Sequence, residues 1–260
     1  MNDSPAMPGP RRSGPGLVAE LDRCLASSRA ACPYRQSHTA LYRQARFTRL
    51  SPVLFDRFLD WGFRRNGNVL YTMGCPDCTA CIPIRLRPPT LQLDRSQRRA
   101  WRKNQDLTVE MGPLAIRAES LDLLDRFLAS RYPESRAPDY YPHFFLNTIT
   151  DSIEIRYRLR DRLLAVSIVD CGASALSAVY FFFDPAAGRR SLGTFNILYL
   201  ADLCRRHALD SLYLGYWIEA CQAMAYKARF RPHELRLGDG WQEGILPGST
   251  ARPVAHPLVA

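Results

Sequence analysis

The stretch LYLGYWIEACQAMAYKARFRPHE, residues 212–234, decides how the rest of the chain is read. Ser211–Tyr216 has the length and apolar content of a buried strand. Gly215, Tyr216 and Trp217 fall at its end, and Ile218, Cys221, Ala225 and Ala228 then recur at helical spacing. Tyr226, Lys227, Arg229 and Arg231 follow, concentrating hydrogen-bond donors and positive charge. A strand-to-helix junction is where α/β proteins gather polar groups around a pocket. Tyr216 is therefore the candidate for a group beside the reacting atoms. Trp217, Tyr226, Lys227 and Arg231 are candidates for holding a substrate.

Upstream of this junction, strands and helices alternate. Leu107–Met111 reads as a strand, and Leu121, Leu124 and Leu128 mark a helix stripe. Ile153–Arg160, Leu163–Val169 and Ser174–Phe183 read as strands, and a helix is expected from about Phe195 to His207. This order predicts an α+β domain, residues 105–245, with a mixed central sheet. It is also the order of the acetyltransferase-like (GNAT-type) fold, an analogy that says nothing of chemistry by itself.

A second block, residues 17–104, precedes it. Ser51-Pro52 signals a helix start, Phe55, Phe58 and Leu59 share one face, and Gly62 ends it. Arg65-Asn66-Gly67-Asn68 predicts a hairpin turn between strands at Trp61–Arg64 and Val69–Thr72. Ile82–Leu86 reads as another strand. Residues 1–16, with four prolines and three glycines, and residues 246–260 are expected to be flexible tails.

The chain carries 35 basic and 25 acidic residues, a net charge of +10, which favours a polyanionic partner. Its most apolar window, Leu163–Phe183, is broken by Asp170 and Gly172 and contains three serines, so it predicts paired strands and no membrane span. With no targeting segment in view, the expected compartment is the cytosol, where eight cysteines would stay reduced.

Three of those cysteines form CPDCTAC, with Cys75, Cys78 and Cys81 at C-x2-C-x2-C spacing. Thiolates so spaced are able to converge on zinc or an iron–sulfur cluster, with Cys32 the first candidate for a fourth ligand and Cys24 behind it. The alternative is a knuckle of reduced cysteines packed under the hairpin. Cys171, Cys204 and Cys221 sit on buried faces and read as core. The segment RSQRRAWRK, residues 95–103, joins dense positive charge to Trp101, as phosphate contacts and base stacking require. Arg190 and Gly193 fit part of the loop with which coenzyme A enzymes hold a pyrophosphate, but Phe195 stands where that loop has a small residue.

Several segments together resemble the bacterial aspartate/glutamate leucyltransferases, relatives of the eukaryotic arginyl-tRNA–protein transferases. They are CPY at 32–34, GFRRNG at 62–67, CPDCTACIPIR at 75–85, SQRR at 96–99, LSAVYFFFDP at 176–185, SLG at 191–193, LYLGYWI at 212–218 and AMAYKARFRPHE at 223–234. The resemblance implies a cysteine-bearing N-terminal domain and an acetyltransferase-like C-terminal domain. It implies an aminoacyl-tRNA–protein transferase that moves leucine from charged tRNA to an N-terminal Asp or Glu, marking proteins for N-end-rule degradation. Leucyl-tRNA and the acceptor protein would then be the partners. An aminoacyl ester is already activated, so the chemistry needs no cofactor and no covalent intermediate. The oxyanion would be met near Tyr216, and Arg98, Arg99, Lys227 and Arg231 are candidates for the acceptor carboxylate. Gln97, Arg98, Arg99 and Trp101 would serve substrate binding. The competing readings are a coenzyme A-dependent N-acetyltransferase and a non-enzymatic nucleic-acid-binding module.

Overall fold

A computed structural model describes residues 23–34, 38–131 and 137–244; the tails expected at 1–16 and 246–260 lie outside the described residues. The chain opens with β1 (Ala26–Ala31) and β2 (Thr39–Arg46), then helix α1 (Pro52–Asp60), β3 (Arg64–Asn66) and β4 (Val69–Met73). These four strands form an antiparallel sheet in the order β1-β2-β4-β3. The start of α1 is set as expected: the Ser51 hydroxyl accepts the Leu54 N–H at 3.3 Å, with Pro52 in the first turn. Phe55, Phe58 and Leu59 are its buried face and pack with Leu50, Phe63, Leu70 and Tyr213. The β3–β4 hairpin turns at Gly67, whose φ of +57° suits glycine.

The second sheet takes its first strand from just after the cysteine run. It contains β5 (Ile82–Leu86), β6 (Thr108–Pro113), β7 (Asp151–Leu159), β8 (Arg162–Cys171), β9 (Ala175–Phe183), β10 (Ser211–Trp217), β11 (His233–Leu237) and β12 (Gly240–Glu243). Their spatial order is β12-β11-β5-β10-β9-β8-β7-β6. Among the described residues only β9 and β10 run parallel, because the helix between them crosses over the sheet. The helices are α2 (Arg95–Lys103), α3 (Ala118–Arg131), α4 (Ala137–Tyr141), α5 (Leu192–Arg206) and the single turn α6 (Gln222–Ala225). This is an α+β fold with a mixed central sheet.

Both faces of the sheet are covered. Leu192, Phe195, Leu198 and Ala201 of α5 pack with Leu164, Leu176 and Leu212. Leu123, Leu124 and Phe127 of α3 pack with Leu163, Val166 and Phe182 in a separate cluster. The neighbours Leu163 and Leu164 go to different clusters, as alternation along β8 requires.

Two expectations are corrected. The helix foreseen from Ile218 through Ala228 shrinks to Gln222–Ala225 followed by a 3-10 turn, Tyr226–Arg229. Cys221 is extended, at φ −111° and ψ 108°, so the helix cannot start earlier, and Pro232 keeps Arg231 out of it. The strands β1, β2, β11 and β12 were not foreseen; ASSRAA, for example, has no apolar alternation to reveal it.

Candidate active site

The ladder between β9 and β10 ends early. It pairs Ser211 with Ala175, Leu212 with Leu176 and Tyr213 with Ser177, although β9 continues to Phe183 and β10 to Trp217. Beyond Tyr213 the pairing of β10 with β5 also shifts register, and Gly215 adopts φ +89°. That bulge opens a cavity of about 650 Å³ between the parted strands. Ala178, Val179 and Tyr180 line one side, and Leu214, Gly215 and Tyr216 the other.

The lining of this cavity combines two chemistries. One wall is aromatic, built from Phe127, Tyr140, Phe144, Phe145 and Tyr180. These rings pack on one another, Tyr140 and Phe144 with centroids 4.3 Å apart and Phe145 and Tyr180 5.1 Å apart. Arg131 lies over the Phe127 ring, 4.8 Å from its centroid, and Arg65 also lines the space. Two more lining residues are buried cations, Arg64 at 5 % and Lys227 at 9 % exposure. Each is tethered to a carbonyl of the bulge. Arg64 Nη2 donates to Gly215 O at 2.7 Å, and Lys227 Nζ donates to Tyr216 O at 2.8 Å. Lys227 also meets Met224 Sδ at 3.2 Å. A Cβ on residue 215 would approach Lys227 Nζ to 3.4 Å, so glycine serves both the positive φ and the lysine.

Among the described residues neither cation has a carboxylate partner, and Arg64 Nε and Nη1 have no hydrogen-bond partner at all. Burial, and then the neighbouring Arg64, lowers the Lys227 ammonium to about 7. Burial also lowers Arg64. The Tyr216 phenol is pushed well above its ordinary value by burial, with Tyr71 adding to the effect. It therefore stays protonated at neutral pH, and its hydroxyl donates to Gly62 O at 3.4 Å.

Of the residues singled out from sequence, Tyr216, Tyr226 and Lys227 come together in this cavity. Trp217 is buried beside it, with an indole N–H that lacks a partner. Gln97, Arg98, Arg99 and Trp101 lie elsewhere, on α2. Gln97 completes a capping box with Asp94 and donates to Arg229 O at 3.0 Å. Trp101 tilts against Phe195, centroids 5.5 Å apart, and lines a separate cavity of about 220 Å³. Arg98 and Arg99 are exposed, and Arg98 Nη1 donates to Leu93 O. Arg231 is exposed, and its carbonyl accepts the Gln92 N–H at 2.8 Å. The foot of α2 nevertheless touches the cavity's rim. Lys103 Nζ donates to Arg189 O at 2.7 Å and Asn104 Nδ2 to Arg190 O at 2.9 Å, beside the lining residues Gly188 and Ser191. Phe195 is turned into the core against Trp101 and Tyr157, not over the loop it follows.

The metal expectation fails on geometry. Among the described residues no three His, Cys, Asp or Glu side chains converge as a ligand set, so Cys32, Cys75, Cys78 and Cys81 do not form one. The Cys75 thiol instead accepts the Leu41 N–H at 3.3 Å, and the run between Cys75 and Cys81 serves as the connection from β4 into β5.

Sequence reading missed Arg64. It stood in view within GFRRNG, but nothing local says that it, unlike Arg65, would be left without an anion.

The family models that match this chain, whose pocket opens where the parallel strands part at a bulge, make it an acyltransferase. Within that class the chain belongs to the aspartate/glutamate leucyltransferase family and is an aminoacyl-tRNA–protein transferase. Residues 30–99 match the family model "Arginine-tRNA-protein transferase, N terminus", and residues 119–237 match its C-terminus counterpart. The aspartate/glutamate leucyltransferase of Nitrosococcus oceani is 42% identical over 186 residues, covering 69% of this chain and 78% of the relative. That of Hahella chejuensis is 36% identical over 192 residues, covering 72% and 82%. Among solved structures the chain is similar to L-PGS from Bacillus licheniformis, with 11% identity, 74% and 69% coverage and a TM-score of 0.44. A GCN5-related N-acetyltransferase from Kribbella flavida gives 11% identity, 62% and 59% coverage and a TM-score of 0.36. Among the described residues no helix is long and apolar enough to cross a membrane.

Proposed function

We propose that this enzyme moves leucine from leucyl-tRNA to the α-amine of a protein beginning with Asp or Glu, marking it in the cytosol for N-end-rule degradation. One observation carries the reading: a single cavity has an aromatic wall and, among the described residues, two buried cations without carboxylate partners. The aromatic wall suits the leucyl side chain of the donor. Arg64 and Lys227 suit the acceptor's carboxylate.

The acceptor amine, once neutral, attacks the ester carbonyl; the C–N bond forms, the C–O bond to the tRNA ribose breaks, and the amine's proton ends on the leaving hydroxyl. An α-amine loses its proton near pH 8 and the ester is activated, so no cofactor is needed. Holding both substrates in register supplies most of the acceleration, up to about 7–11 kcal/mol. Tyr216 sits where the strand end meets the cavity, and the oxyanion is assigned to N–H or hydroxyl donors beside it, with Trp217 and Tyr226 shaping the pocket around it. Lys227, close to half neutral at pH 7, is assigned to the acceptor, with Arg231 outside the cavity. The exposed arginines of α2, Arg98 and Arg99, are assigned to tRNA phosphates, because the foot of that helix docks on the cavity's rim.

The test incubates the protein with radiolabelled leucyl-tRNA and peptides beginning Asp, Glu, Arg or Ala. Label is expected on the Asp and Glu peptides only, and RNase treatment of the donor should abolish it. Transfer from acetyl-CoA with none from any charged tRNA would overturn the proposal.

A further inference from the structure

Arg64 and Lys227 both line the cavity, but they are not equivalent. Lys227 is a compact charge that burial drives toward neutrality, with both of its observed contacts inside the protein. Arg64 is planar, remains charged at any working pH, and keeps Nε and Nη1 without partners. Its position is fixed before any ligand arrives. Nη2 is held by Gly215 O, and the guanidinium lies 5.6 Å from the Tyr213 ring centroid and 5.9 Å from that of Tyr216.

The chain shows elsewhere what a completed buried arginine looks like. Arg65, the next residue, gives Nε and Nη2 to Asp170 at 2.5 and 2.9 Å and Nη1 to Gly67 O at 3.1 Å. Arg64 is as deeply buried and lacks such an anion. Buried donors are nearly always satisfied, so the missing partner belongs to a ligand.

We infer that Arg64 is the specificity-determining residue for the acceptor, its free N–H groups binding the side-chain carboxylate of the N-terminal Asp or Glu. The inference rests on the acceptor reading given above and names the residue that enforces it. Two anions reach this enzyme, a carboxylate and the phosphates of tRNA. A phosphodiester is linked through both neighbouring nucleosides, whereas Arg64 is 5 % exposed and enclosed by Tyr213 and Tyr216. A carboxylate on one or two methylenes is the smaller and less encumbered of the two anions. Asn and Gln have the same shape but turn an amide donor toward a guanidinium that has only donors. A site built this way rejects the analogue through its own unmatched groups.

The test uses the full-length protein, leucyl-tRNA and peptides that differ only in a first residue of Asp, Asn, Glu or Gln. Wild type should prefer Asp to Asn by a factor of about 100 or more in kcat/KM. Arg64→Gln should remove most of that preference, acting mainly through the KM for Asp, while leaving leucyl-tRNA affinity and its salt dependence unchanged. An active Arg64→Gln enzyme with the wild-type Asp/Asn ratio overturns the inference, as does one whose loss lies in tRNA affinity. Should Arg64→Gln fail to fold, Arg64→Lys replaces it. That variant keeps charge and reach but lacks the planar donors, and the ratio should fall about tenfold; an unchanged ratio overturns the inference equally. If wild type itself moves no leucine to Asp or Glu peptides, the acceptor reading falls and takes this inference with it.

Discussion

Of the two arginines in the short strand Arg64–Asn66, Arg65 is paired with Asp170, which also accepts the Ser152 hydroxyl at 2.5 Å. Arg64 reaches one carbonyl and, among the described residues, meets no anion. Both guanidiniums are buried, both come from one motif and both line the cavity, but one of them has its anion and the other does not. The difference separates charge used for folding from charge held for a ligand. A buried arginine with its anion is part of the fold, and a buried arginine without one is a cost the fold accepts for function.

The largest effect should follow from removing the completed partner. Arg65→Met leaves Asp170 buried and unpaired, which costs about 3–5 kcal/mol and on the order of 10 °C in Tm. Thermal unfolding checks it. If Arg65→Met and Arg64→Met prove equally destabilising, the contrast between the two arginines is broken.

Lys227 sharpens the same contrast through pH. Its ammonium is lowered in the folded state from the ordinary 10.5 to about 7, chiefly by burial. Below pH 7 both folded and unfolded chains carry the charge, and the folded state bears the full cost of burying it. Between pH 7 and 10.5 the unfolded chain binds a proton that the folded chain does not, so stability rises with pH and the cost fades. Lys227→Met should therefore stabilise the protein by about 2 kcal/mol at pH 6, since the freed Tyr216 carbonyl takes back part of the gain. The gain should shrink toward pH 10, and transfer activity should be lost throughout. A gain in Tm that does not depend on pH would mean that the lysine is not held against its charge.

Arg64→Met should change stability by less than about 1 kcal/mol, because one hydrogen bond is lost together with one unpaired buried charge. Differential scanning fluorimetry beside the Asp/Asn assay separates this from misfolding. A folded but unselective enzyme is the expected result.

Much of this fold could be read from the chain, and the limits have physical causes. Ile82–Leu86 was foreseen to the residue, and β7 to β10 followed from apolar runs bounded by turn residues. Polar edge strands such as β1 and β12 carry no such signal. Within the cavity, Tyr216, Tyr226 and Lys227 were visible because one strand end and the turn after it deliver all three. Arg64 was not, because its role depends on pairings across long separations. Asp170, 105 residues away, claims Arg65, and Gly215, 151 residues away, receives Arg64. The cysteine run misled for a related reason. Spacing permits convergence on a metal, but in the fold Cys75 is engaged by the backbone of β2.

The smallest expected effect concerns the exposed charges of α2, the opposite case to Arg64. Arg98 and Arg99 stand in water, so neither contributes much to stability, and Arg98→Ala should move Tm by no more than the equivalent of about 0.5 kcal/mol. Their use lies in number and position. The helix holds Arg95, Arg98, Arg99, Arg102 and Lys103, and its foot is hydrogen-bonded to the rim at Arg189 and Arg190. Each phosphate contact releases bound counterions, so its loss lowers the slope of log affinity against log salt by about one unit. Arg98→Ala should show that loss with leucyl-tRNA while keeping the wild-type preference for Asp over Asn, because the acceptor meets a different cation. The measurement is tRNA affinity at several salt concentrations beside the Asp/Asn ratio. If Arg98→Ala alters the ratio and leaves the slope intact, the exposed helix reads the acceptor and the division of labour between surface and buried charge is reversed.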